Sequence, residues 1–283
     1  MPTMRWMKLP VLATAVLLVL AACVSTTRQG ATGITRSQLM LVSSAQADSA
    51  ALQSYRGELD KARQSGALNT DRANLERIRR IADRLIPQTA VFRPDAASWQ
   101  WEVNLQTKDE LNAYCASGGK IMFFTGIINR LRLTDDEIAA IMGHEMAHAL
   151  REHGRERMSQ SVAQEVGMNV IAAATGMSSG GAQMMQTAAQ LALTLPHSRG
   201  QESEADIIGL ELLARAGYNP NAAVVLWQKM GQAGAGGGPA FLSTHPSGPQ
   251  RIQSLQAAIP RVMPLYDQAR RNPPPVRQIV PRS

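Results

Sequence analysis

Thr134-Asp135-Asp136-Glu137 opens a segment that runs on to His144-Glu145-Met146-Ala147-His148, and both ends of it read as one buried helix. A Thr at the N-cap with a Glu three residues later can close a capping box, and Asp135 and Asp136 suit the positive end of the helix dipole. Ile138, Ile141 and Met142 then begin the buried face. Four residues apart, about 6 Å along the axis, His144 and His148 project from one face and can hold one metal ion, with Glu145 on the neighbouring edge.

A catalytic zinc site usually takes three protein ligands and keeps a fourth position open. The segment Ser198-Arg199-Gly200-Gln201-Glu202-Ser203-Glu204-Ala205-Asp206 offers the third on another predicted helix, where Glu202 and Asp206 share a face and Glu204 points elsewhere. Glu202 is therefore assigned as the carboxylate ligand. Asp206 is assigned as the acceptor that orients a ligand histidine through its other ring nitrogen. Glu204 is expected in solvent or paired with a surface Arg. His153, five residues past His148 and turned about 140° from it on a continuous helix, is not expected to be a ligand.

The HExxH helix followed by an ExxAD helix resembles the zinc metallopeptidase family that includes the CAAX prenyl protease and the HtpX-type membrane proteases. Its soluble periplasmic lipoprotein branch, of YcaL, LoiP and BepA type, is the nearer likeness. The resemblance runs from about Trp99 to Ile259 and takes in Gly118-Gly119-Lys120-Ile121, Gly209-Leu210-Glu211-Leu212, Ala216-Gly217-Tyr218-Asn219-Pro220 and Ser243-Thr244-His245-Pro246-Ser247. It implies an α+β, mostly helical zincin-like domain with a small β-sheet flanking the active-site helix. It also implies one zinc ion per chain on His144, His148 and Glu202, with Glu145 as the catalytic carboxylate. With zinc in place, Glu145 is expected to take a proton from the attacking water and return it to the departing amine. The multi-span helices of the HtpX branch are missing, and few residues follow His245 for a helical-repeat domain of the BepA sort.

Other readings stay open at this stage. His245 is a transition-state donor or a reversible fourth zinc ligand, against a loop histidine packing against the helix beside it. Arg251 is an oxyanion stabiliser or one half of an ordinary salt bridge. His197 lines the cleft or lies outside it. The run 120–125 is expected to take substrate backbone as an added strand. Residues 162–174 and 182–195 form an apolar, Met-bearing hairpin around a Gly-rich loop at 176–181, read as core or as a lid.

Upstream of the motif, helices are predicted over 37–64 and 70–86, the second stopped by Pro87. Trp99, Trp101, Val103 and Leu105 alternate, so they and 120–125 predict a small sheet, with 113–119 as the turn before its last strand. Downstream, helices are predicted over 156–174, 182–194, 201–216, 221–233 and 248–258, with a loop at 231–238. From Pro260 a Pro-rich extended tail is expected to the end of the chain.

At the amino terminus, Arg5 and Lys8 precede an apolar run that ends in Leu20-Ala21-Ala22-Cys23. This reads as a secretory signal over 1–22, too short to span a bilayer. The four residues resemble the lipobox of bacterial lipoproteins, with Cys23 the lipidated residue. Acyl chains there would hold the protein on a membrane surface, and residues 24–36 read as a flexible tether to a domain spanning 37–259. Val24 rather than Asp suggests, by that resemblance, the periplasmic face of the outer membrane.

Of the two cysteines, Cys115 then has no disulfide partner within the chain and is expected in the core.

The composition fits this picture. The 283 residues are 45% hydrophobic and only 4% aromatic, which suits a helix-rich globular chain and excludes general disorder. The net charge of +7 includes basic residues in the leader and tail, and no nucleic-acid motif is present, so nucleic acid is not an expected partner. The partners implied by the resemblance are unfolded or misassembled envelope proteins. A chaperone or outer-membrane assembly factor with a latched, structural zinc site is the alternative. A peptidoglycan-cleaving metalloenzyme fits the ligand pattern less well.

Overall fold

A computed structural model describes residues 23–175, 197–234, 240–245, 248–274 and 276. The expected leader 1–22, the turn 176–181, the helix 182–194 and the far end of the tail lie outside these residues. In chain order the elements are β1 (Cys23–Val24), β2 (Gln38–Leu39), α1 (Ser44–Gln64), α2 (Arg72–Leu85), two short 3-10 helices (Ile86–Val91 and Pro94–Ser98), β3 (Glu102–Gln106), β4 (Ala113–Ala116) and β5 (Lys120–Phe124). Then follow α3 (Thr125–Arg130), α4 (Asp135–Leu150), α5 (His153–Thr175), α6 (Arg199–Arg215), α7 (Asn221–Gly234), α8 (Ala240–Thr244) and α9 (Pro249–Arg271). The fold is α+β and mostly helical. No helix among the described residues is long and apolar enough to cross a membrane.

The three-stranded sheet has the order β3-β5-β4, with β5 parallel to β3 and antiparallel to β4. Residues 113–116, expected as part of a turn, form β4 itself. Their alternation, with Ala113 and Cys115 inward, is only two periods long and is set by pairing with β5 rather than by local pattern. Only 117–119 turn, and there Gly118 and Gly119 both have φ near +80° (+76° and +78°), while a Cβ on Gly119 would lie 2.5 Å from the Trp101 ring.

All five residues of β5 are buried. Successive side chains of a strand point to opposite faces, so Ile121 and Phe123 join the main core while Met122 and Phe124 pack with Tyr55 of α1. Helix α1 therefore covers the second face of the sheet. It starts at Ser44, later than expected, because Ser43 caps it through a box with Gln46 while Gln38 and Leu39 are drawn into β2.

Helix α2 buries Leu75, Ile78, Ile81, Ala82 and Leu85 at the expected spacing. At the centre, α4 is buried from Glu137 through Leu150. Helix α6 crosses α4 where Gly143 faces Gly209: a Cβ on Gly209 would come within 2.8 Å of the His144 backbone nitrogen. The two main chains touch there because neither residue carries a side chain.

The capping box on α4 is present, with Glu137 N–H donating to Thr134 Oγ1 and Thr134 N–H to Glu137 Oε2 (3.3 and 2.7 Å). Thr134→Ala should destabilise the fold by about 1 kcal/mol, read as a lower denaturant midpoint with an unchanged slope.

Two further expectations are corrected. The chain from Pro260 is not an extended tail: α9 continues through Pro260 and Pro264 to Arg271. Each proline removes an intrahelical N–H bond. However, Leu255, Ala258, Ile259, Val262 and Ala269 keep a helical stripe on the core, and that packing overrides local propensity.

Nor is the segment after Val24 a free tether. Arg28 N–H donates to Phe92 O (2.8 Å), the amides of Ala31 and Thr32 donate to the buried Glu211 carboxylate (2.9 and 3.0 Å), and Arg261 Nη2 donates to Thr32 O (2.8 Å). This segment is a strap bound to the core. Cys115 lies in the core as expected, where burial pushes its thiol well above the usual range.

Candidate metal centre

Helices α4 and α6 bring the ligating side chains together at their crossing. His144 and His148 project from α4, and Glu202 comes from the first turn of α6, whose N-cap Ser198 forms a capping box with Gln201. The three are buried. His144 Nε2 lies 3.1 Å from His148 Nε2, and Glu202 oxygens lie 3.3 Å from His148 Nε2 and 3.6 Å from His144 Nε2. Ligands at ~2.0–2.1 Å around a tetrahedral zinc are ~3.3 Å apart, so this donor set fits an ion of that size. His144, His148, Glu202 and His245 all offer ligand atoms within 4.8 Å of one another.

Asp206 stands behind His144 as the sequence suggests, Oδ1 lying 3.0 Å from Nδ1. Arg251 proves to be a clamp: Nε and Nη2 donate to Asp206 (2.7 and 2.6 Å), Nη1 donates to Glu202 (2.6 Å), and the guanidinium lies 3.3 Å from the centre of the Trp227 ring. The salt-bridge alternative is thus the one the geometry carries. Burial pushes the Glu202 carboxyl up. The His245 hydrogen bond and the nearby Arg251 guanidinium outweigh it, holding the group well below the usual carboxylate range.

Glu145 is different. Buried beside the cluster, its Oε1 has no hydrogen-bond partner, and burial raises its carboxyl above the ordinary value, with His245 and His144 opposing. A buried carboxylate oxygen without a donor is costly, and here it marks where a proton-bearing group fits. His245 Nε2 lies 3.5 Å from Glu145 Oε1, and His245 Nδ1 lies 2.9 Å from Glu202 Oε1. The ring is buried and stacks on Phe241 of α8 at 4.4 Å, so His245 faces the site while packing against the helix beside it.

A cleft of about 270 Å³ opens onto Glu145, His148, His197 and His245, walled by β4 on one side and α1 on the other. His197 does line it, with its ring 3.8 Å from that of His148. The substrate strand expected along 120–125 cannot form there, because β5 is central and paired on both sides. The edge facing the cleft is β4.

Of the two readings of Glu204, the solvated one is corrected, and pairing with the exposed Arg36 is found. It is buried, and Arg36, Arg151 and His153 all donate to it.

Residues 72–259 match Peptidase family M48. The chain belongs to that family. It is 37% identical over 158 residues to the mitochondrial metalloendopeptidase OMA1 of Arabidopsis thaliana, covering 56% of this chain and 31% of the relative. To the OMA1 of Schizosaccharomyces pombe it is 36% identical over 163 residues, covering 57% and 47%. The metalloprotease YcaL of Escherichia coli is 25% identical over 151 residues, covering 53% and 59%. The OMA1 sequences are thus more similar to this chain than YcaL is, although the motifs alone suggested the YcaL branch. The matches span about a third to a half of the length of these two OMA1 relatives. For an M48 peptidase, the His144, His148 and Glu202 cluster on crossed helices beside a small sheet is the zincin-like arrangement expected from the sequence.

Proposed function

We propose that this protein is a zinc-dependent endopeptidase that cleaves unfolded or misassembled proteins of the cell envelope. One observation carries the catalytic part: Glu145 presents an unpartnered, buried carboxylate oxygen beside a His144, His148 and Glu202 set with tetrahedral spacing. Zinc, when bound, supplies Lewis acidity, polarising a carbonyl and lowering the pKa of water from 15.7 toward ~7. Everything else is done by the chain. The free edge of β4 accepts an extended peptide as a further strand, which reads backbone rather than sequence and suits unfolded substrates. Glu145 takes the proton of the attacking water and delivers it to the departing amine. Asp206 and Arg251 hold His144 and Glu202 in place, and His245 stands where it can donate to the developing oxyanion.

The envelope setting rests on the lipobox-like run before Cys23 and on the resemblance of the motifs to the periplasmic lipoprotein branch. The exposed position of Cys23 at the start of β1 supports its carrying a lipid, with the periplasmic face of the outer membrane as the proposed location. The position of His245 within bonding distance of Glu202 favours a second reading, in which a latched ion is structural and the protein acts as a chaperone.

The test is digestion of an unfolded protein by the full chain. Cleavage should stop when a chelator strips the metal and return with zinc. A zinc-loaded chain that leaves the substrate intact overturns the enzyme reading and favours the latched one.

A further inference from the structure

Behind the metal cluster, on the side of His148 opposite its ligating nitrogen, a row of groups that the catalytic reading does not use runs from the buried His153 and Glu204 out to the exposed Arg36. His148 Nδ1 lies 2.8 Å from His153 Nδ1, and His153 Nε2 lies 3.0 Å from Glu204 Oε2. Both histidines are buried. The same Glu204 oxygen accepts from Arg151 Nε at 2.9 Å and from Arg36 Nη2 at 3.2 Å, and Arg36 Nε bonds the other oxygen. Arg36 is tied in turn to Glu156 by two hydrogen bonds of 2.6 and 2.9 Å, and Arg151 Nη2 donates to the Arg36 carbonyl at 2.8 Å.

Proton placement along this row follows from one end. Guanidinium groups only donate, and both Glu204 oxygens already take guanidinium N–H groups, Oε1 from Arg36 and Oε2 from Arg36 and Arg151, so the carboxylate only accepts. A neutral His153 then carries its proton on Nε2 and leaves Nδ1 as a lone pair. That lone pair faces His148 Nδ1, which must therefore bear a proton, freeing His148 Nε2 as the donor toward the metal. With one proton on each imidazole, no other assignment satisfies both ring contacts and leaves His148 Nε2 for the metal.

We infer that His153 is a positioning residue for the metal site, fixing the tautomer and ring orientation of His148 through a relay anchored on Glu204. The inference rests on the reading of His148 as a metal ligand. Outer partners of a ligating histidine usually change metal affinity by 10–100-fold when removed. Here the partner is itself a histidine, and the anchor reaches the amino-terminal strap through Arg36.

The experiment uses the full chain with 15N-labelled histidine, titrated with zinc. In the loaded protein the His148 proton should be on Nδ1 and the His153 proton on Nε2, with one zinc per chain. His153→Leu should weaken zinc binding roughly 10–100-fold in competition with a chelator. His153→Asn, which places an acceptor oxygen near the Nδ1 position, should bind zinc more tightly than the Leu variant. A His148 proton found on Nε2 in the zinc-loaded wild type overturns the relay without any variant. So does a folded Leu variant that binds zinc as tightly as wild type. Two zinc ions per chain, with signals from His148, His153 and His197 all shifted by the second, would make these rings a second metal site instead. A wild-type chain that takes up no zinc removes the metal reading and the relay together, which separates that failure from a failure of the relay alone.

Discussion

Glu145→Gln is expected to lower peptide hydrolysis by a factor of roughly 10²–10⁴, the usual contribution of a positioned general base, while zinc content stays at wild-type level. Gln keeps the volume of the side chain but cannot accept and hand on a proton. Glu145 is outside the cluster of ligand atoms formed by His144, His148, Glu202 and His245, so its replacement leaves that set whole. The change also removes a buried acidic group whose Oε1 makes no hydrogen bond, so the variant should be at least as stable as wild type. The decisive comparison is hydrolysis rate, zinc content and melting temperature on the same two preparations. A Gln variant that binds zinc and still cleaves at the wild-type rate would remove Glu145 from the mechanism.

The second large effect is on the scaffold. Gly209→Ala places a methyl group 2.8 Å from the His144 backbone nitrogen and 3.0 Å from its Cα, atoms that cannot move without moving α4. Overpacking of this kind costs about 1–3 kcal/mol, and the helices that must separate are the two that carry the metal ligands. Gly209→Ala should therefore lower both the unfolding midpoint and the zinc affinity. Gly231→Ala makes the control, because a Cβ there meets nothing within 4 Å and replaces glycine by a better helix former inside α7. Equal stability of the two alanine variants would show that the α4 and α6 crossing tolerates a side chain.

What could be read from the sequence and what could not divides along the range of the interactions involved. The cap at Thr134 and the i, i+4 pair of histidines are local, and Glu202 and Asp206 repeat the same spacing on one further helix, so these residues were legible. Helix α9 was cut short because Pro260 and Pro264 signal an end locally, whereas the stripe that carries the helix onward is buried against distant residues. Strand β4 leaves little local signal because it is short and owes its form to β5.

His153 shows the limit most clearly. Counting 100° per residue along one helix turns it away from His148, but α4 ends at Leu150, Glu152 adopts φ +49°, and α5 begins anew at His153. The break returns its ring to His148. The burial of Glu204 has a related cause: its partners Arg36, a surface arginine, and Arg151 lie 168 and 53 residues away in the chain.

The strap between Cys23 and Gln38 has a mechanical consequence. Its amides are fastened to Glu211, its Arg36 to Glu156 and Glu204, and Cys23 pairs with Leu39 across β1 and β2. A lipid on Cys23 would then meet the globule with almost no slack, making the attachment a mount rather than a leash. The cleft would stand at one height and one tilt above the bilayer, and it would choose its targets by the altitude at which an unfolded stretch emerges.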